Sequence, residues 1–167
     1  MKVQVLGNLL SGEIVVDRRN SHLRENATHY LPDAFARINS RGRDFIVEEV
    51  DFGRPIGETI CVRTNESDEI VWAWRKNRPA YWTRFVKNRV PEKCSSLMVI
   101  LMADKETPGQ MVLISSFIGR KAEPEPWDGN TAESVKFWRS HALVWGYEET
   151  VRGTETKVCP WTVNAEI

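Results

Sequence analysis

Between Glu69 and Gly119 four short apolar-rich runs are separated by polar breaks, and the rest of the chain is arranged about them. The runs are Glu69-Ile70-Val71-Trp72-Ala73-Trp74-Arg75, Tyr81-Trp82-Thr83-Arg84-Phe85-Val86, Ser96-Leu97-Met98-Val99-Ile100-Leu101-Met102 and Met111-Val112-Leu113-Ile114-Ser115-Ser116-Phe117-Ile118. Each is rich in β-branched and aromatic residues and bounded by Pro, Gly, Asn or charge, a pattern that predicts strands in an antiparallel meander. The first two interleave arginine with aromatics. The last two are almost wholly apolar, so they are expected centrally, covered on both faces.

Upstream, Val3 to Leu6 and Glu13 to Val16 read as two β-like pieces split by Ser11-Gly12. From Asn20 the period changes: Leu23, Ala27, Tyr30, Ala34 and Ile38 recur every three or four residues, as on a helix. Pro32 either kinks that helix or opens a second one, and Gly42 is a candidate left-handed cap. Asp44 to Val50 alternates as a strand. Beyond the meander, Asn130 with Glu133 approximates a capping box, and Val135, Trp138 and Ala142 mark the apolar face of a late helix ending near Gly146. The tail from Glu148 is polar, with its last residues expected to be disordered. Together these elements predict an α+β fold: N-terminal helical segments, then a twisted antiparallel meander sheet, then a late helix. A single domain over residues 1–167 is expected, with its core at 20–146 and the tail at 148–167.

Composition narrows the class only a little. Lysine plus arginine and aspartate plus glutamate both number 23, so no global field draws the 167-residue chain to nucleic acid or membrane. The three cysteines, Cys61, Cys94 and Cys159, form no C-x-x-C pair, which argues against zinc ribbons and disulfide frameworks and fits a reducing compartment. With no signal-like h-region and no apolar run near the ~20 residues of a membrane helix, a cytoplasmic protein without a membrane partner is expected. Seven tryptophans are many for this length. Most are expected to pack in the core and at its rim, leaving some for a stacking surface.

Local charge is uneven. Arg75, Lys76, Arg78, Arg84, Lys87 and Arg89 follow one another without an acidic residue, whereas Asp44 to Glu69 holds eight. A basic ribbon interleaved with Trp74, Tyr81 and Trp82 suits phosphate contact beside base stacking. The plainer reading is a strand edge whose cations prevent edge-to-edge pairing, or a face neutralised by the acidic segment. That acidic segment is also a candidate surface for a protein partner.

His22, His29 and His141 are the only histidines, with neither helical metal-site spacing nor a cysteine nearby, so no metal is expected. There is no phosphate-cradling glycine motif and no G-x-S-x-G elbow, and no cofactor is expected.

Helical segments before a meander resemble the barnase–EndoU–colicin–RelE group of ribonucleases. The residues that carry the resemblance are the basic strand pair Val71 to Val86, then Leu97 to Met102, a turn, and Val112 to Gly119 with Ser115 near Phe117 and Gly119. The resemblance implies metal-independent RNA cleavage through attack by the neighbouring 2′-hydroxyl, with RNA as partner. It implies His29 as acid or base, Arg84 and Arg75 as electrostatic stabilisers and Ser115 as orienting donor, with His141 the alternative histidine. Arg75, Arg78, Lys87, Arg89, Trp74 and Trp82 would then hold the nucleic acid. The competing expectation is a non-catalytic module of phage or mobile-element origin that binds nucleic acid or protein.

Overall fold

The structure is a computed structural model that describes residues 3–18, 25–126 and 132–161; the side chains of 25 and 78–81 lie outside the description. In chain order the elements begin with β1 (Gln4–Asn8), β2 (Ile14–Asp17), α1 (Glu25–Thr28), α2 (Leu31–Phe35), β3 (Phe45–Asp51), β4 (Gly57–Thr59) and β5 (Cys61–Arg63). They continue with β6 (Ile70–Arg75), β7 (Arg78–Val86), β8 (Glu92–Cys94), β9 (Ser96–Ala103), β10 (Gln110–Ile118), α3 (Ala132–Arg139) and β11 (His141–Val144). The chain divides into two compact units, Met1–Glu58 with Lys93–Lys121 and Thr59–Glu92 with Ala122–Ile167.

This architecture corrects the α+β expectation. The described residues are mostly sheet, and their three helices are short. The four runs are strands, yet they do not form one meander: β9 and β10 lie in a five-stranded sheet ordered β1-β2-β10-β9-β3, while β6 and β7 lie in a four-stranded sheet ordered β5-β11-β7-β6. Neither sheet is purely antiparallel, because β10 runs parallel to β2 and β11 parallel to β7. The N-terminal helical segment shrinks to α1 and α2. Pro32 sits in the first turn of α2, where its missing N–H costs nothing, and it can only start a helix there, not continue one. The late helix stops at Arg139, and Ala142 lies on β11 instead of on the helix face.

In the first unit the helical spacing still does its work over those short turns. Ala27, Leu31, Ala34, Phe35 and Ile38 are buried with Val15, Ile46, Val99, Leu101 and Leu113 in one apolar cluster. Alternate residues of β3, β9 and β10 therefore face the helices, as period-two strands require.

In the second unit β6 and β7 form a hairpin closed by Lys76-Asn77. On one face, Val71, Ala73, Phe85 and Leu143 pack with Trp138 of α3, whose Nε1 donates to the Glu123 carbonyl at 2.8 Å. Val62, Val86, Ala142 and Val144 line the opposite face.

Candidate functional site

The β6–β7 register places Trp72 opposite Arg84 and Trp74 opposite Trp82. Cross-strand partners share a face, so these four side chains rise from the same side of the hairpin. Trp74 and Trp82 meet edge to face, with ring centroids 5.1 Å apart and planes at 71°. The outer edge of β6 is closed by the segment from Glu149 to Pro160, which acts as a strap. Trp72 and Thr156 exchange both backbone hydrogen bonds at 2.8 Å, Val151 N–H donates to the Trp74 carbonyl at 2.8 Å, and Lys76 N–H donates to the Glu149 carbonyl at 2.8 Å. Thr154 completes the edge with its side chain, its Oγ1 accepting from Trp74 N–H at 3.0 Å.

Strap and hairpin enclose an open cavity of about 450 Å³ whose walls include Trp74, Trp82, Thr154, Thr156, Val158 and Cys159. Trp82 is fixed at both ends, its Nε1 donating to the Thr154 carbonyl at 3.2 Å and its own carbonyl accepting from Trp161 Nε1 at 3.1 Å. The Trp74 Nε1 is buried and has no hydrogen-bond partner among the described residues.

The ribbon cations with described side chains have partners within the unit. Arg75 pairs with Glu125 and donates from Nε to Thr83 Oγ1 at 3.1 Å. Lys87 Nζ lies 2.9 Å from Glu155 Oε1 and over the Trp145 ring. Arg89 reaches Asp68 at 3.0 Å and Glu92 at 2.9 Å, and Lys76 lies 3.6 Å from Glu149. Arg84 has neutral acceptors, Thr64 Oγ1 at 2.8 Å and the His141 carbonyl at 3.0 Å. Burial depresses the Arg84 guanidinium from its ordinary range, with nearby Cys159 and Asp68 acting the other way. The Arg78 side chain lies outside the described residues, as do His22 and Trp127.

The four residues proposed for catalysis are divided. His29 and Ser115 belong to the first unit, Arg84 and His141 to the second. His29 is exposed just after α1, its ring 5.1 Å from that of Tyr30. Ser115 is half-buried on β10 at a register shift opposite Ile100. In the second unit Arg84 touches the backbone of His141, and the strand geometry separates their side chains. Arg84 and Val86 share a face of β7; Val86 pairs with Val144, so Ala142 and Val144 share it too. His141 and Leu143 therefore point to the other face, where the imidazole stacks on Phe137 at 3.9 Å and its Nδ1 lies 2.9 Å from the Phe137 carbonyl.

The acidic segment is likewise partly engaged: Glu48 pairs with Arg43, Asp51 accepts from Gly53 N–H, and Asp68 holds Arg89. Among the described residues no group of three or more His, Cys, Asp or Glu is placed to hold a metal ion, and no helix is long and apolar enough to cross a membrane. The strap is the part of the site that the sequence pattern did not single out. Its signal was Thr154, Thr156 and Val158 at alternate positions, which is strand spacing inside a stretch whose polarity reads as a tail. Comparison with protein-family models, with curated proteins and with solved structures finds no match to this chain.

Proposed function

We propose that the protein is a non-catalytic binding module that holds single-stranded nucleic acid, seating a base in the tryptophan-walled cavity of the second unit. The observation that carries this reading is the Trp74–Trp82 pair, locked edge to face on an open cavity of about 450 Å³. An aromatic wall of this kind suits a base because every base presents a π-face, and each stacked base contributes about 1–3 kcal/mol.

The same cavity supplies little for chemistry. Among the described residues its walls hold no imidazole and no carboxylate, the groups that move protons near neutral pH in RNA cleavage. Arg84 is tied to Thr64 and to the His141 backbone, and the His141 ring lies on the opposite face of the sheet. Holding a strand therefore fits this site better than cutting one.

The test is fluorescence anisotropy with a labelled single-stranded RNA of about 12 nucleotides, within the usual site size for such modules. Trp82→Ala is expected to weaken binding about 5- to 150-fold, the equivalent of one lost stack, while Trp82→Phe retains most of the affinity. The RNA should be recovered intact. Cleavage by the purified wild type would return the ribonuclease reading to first place.

A further inference from the structure

We propose that the outer edge of β3, in the first unit, is a docking edge for an extended basic segment of a partner protein, which adds to the sheet as a further strand. This goes beyond the nucleic-acid reading, which concerns the second unit alone.

The edges of the two larger sheets are protected in different ways, and β3 is the exception. β6 is closed by the strap, and β5 has only three residues. β1, at the far edge of the same sheet as β3, is broken by a register shift between Val5 and Gly7, and such irregularities discourage further pairing. β3 runs for seven residues, Phe45–Asp51, in unbroken register with β9. It carries no proline and no lysine, and Phe45 at its start is 57% exposed.

The hydrogen-bond phase shows which groups are open. Ala103 N–H donates to the Asp44 carbonyl at 2.7 Å, and Phe52 N–H donates to the Ser95 carbonyl at 2.9 Å. Even-numbered residues of β3 therefore bond to β9, and the backbone groups of Phe45, Val47, Glu49 and Asp51 point outward. The Asp51 carbonyl accepts from Arg37 Nη1 at 2.9 Å, which ends the open stretch. Among the described residues nothing bonds to the outward N–H and C=O groups of Phe45, Val47 and Glu49.

Charge selects the occupant. The side chains of these outward residues share one sheet face, apolar at Phe45 and Val47 and acidic at Glu49. The Glu49 carboxylate accepts from neutral donors, Ser96 Oγ at 3.3 Å and the Lys121 N–H at 2.6 Å, which leave its charge uncompensated. A second copy would bring the same acidic strand to the edge, and like charges across a strand pair are destabilising. A strand with lysine or arginine opposite Glu49 and apolar residues opposite Val47 and Phe45 matches it. Main-chain hydrogen bonds then supply affinity, and the alternate side chains supply the choice of partner.

The probe is a synthetic peptide of about seven residues, in which one lysine and two valines alternate with threonine, titrated into ¹⁵N-labelled protein. In the free protein the Phe45, Val47 and Glu49 amides should exchange quickly with solvent and those of Ile46 and Glu48 slowly. Added peptide should shift and protect the first three. Val47→Pro removes one outward N–H at a position where an edge strand tolerates proline, so it should abolish that protection while Ile46 and Glu48 stay slow. Glu49→Lys should weaken the lysine peptide and strengthen its counterpart carrying glutamate, each by about 1.5- to 5-fold, one cross-strand charge pair. The proposal is overturned if the three outward amides do not respond to excess peptide, if Val47→Pro binds as the wild type does, or if Glu49→Lys leaves the preference unchanged. Protection that instead grows with protein concentration, without peptide, would assign the edge to a second copy and overturn the basic partner.

Discussion

Glu125 and Arg75 form an ion pair in which the glutamate side chain is 8% exposed and the arginine side chain 15%. Glu125→Gln keeps the shape and one acceptor but removes the charge, leaving the arginine in a largely dry site. Breaking one partner of a buried pair costs about 3–5 kcal/mol. Arg75 retains its bond to Thr83 Oγ1 at 3.1 Å, so the expected loss lies at the lower end, about 3 kcal/mol. With a urea m-value of roughly 2 kcal/mol/M, the unfolding midpoint should fall by about 1.5 M, read by tryptophan fluorescence. Arg75→Met with Glu125→Leu removes both charges and should recover most of that loss, since matched apolar replacements of buried pairs are near neutral. A midpoint shift below about 0.3 M for Glu125→Gln would refute the reasoning, because it would mean that Arg75 is solvated well enough to stand alone and to meet a phosphate.

Two further outcomes follow from the first unit. The Asp104 carboxyl is held below its ordinary value of 3.8, chiefly by the Glu106 backbone N–H and also by Arg18, against the opposing effect of burial. Its stabilisation is present in full above that value and is lost as pH falls toward the depressed folded value, so Asp104→Asn should flatten the decline in stability below about pH 4 measured by acid titration. A Cβ at Gly57 would come within 2.6 Å of Ile118 Cδ1, so Gly57→Ala should destabilise by about 1–3 kcal/mol in urea unfolding. Ile118→Val removes the obstructing methyl, and Gly57→Ala made in that background should cost clearly less; an equal cost in both backgrounds would contradict the contact.

The local grammar of the chain was more legible than its pairing. β3 and β6 follow from alternation and β9 and β10 from apolar, β-branched runs, whereas Gly42, read as a helix cap, has its left-handed φ of 74° in a turn beyond α2, whose C-cap is Ala36. Partner choice was not legible, because β10 pairs with β2 and β9 with β3 across long sequence separations that local patterning does not record. β11 shows the limit most plainly. Ala142 fits the three-four spacing from Val135 and Trp138, and His141–Val144 is a run of four residues, too short for its period to decide between helix and strand. At the site, Trp74 and Trp82 were visible as aromatics alternating with cations. The fate of those cations was not, since Glu125 and Glu155 lie some 50 and 68 residues along the chain from Arg75 and Lys87.

The most direct measurement is a ¹⁵N–¹H spectrum of the tryptophan indoles, assigned by single Trp→Phe substitutions and titrated with unlabelled single-stranded RNA. Trp74 and Trp82 wall the cavity, and Trp74 Nε1 has no partner among the described residues, so these two signals should move with the added strand. Trp138, whose Nε1 is committed to the Glu123 carbonyl, should remain in place. Movement of Trp138 with Trp74 and Trp82 unmoved, or no movement of any indole at saturating RNA, would contradict the account.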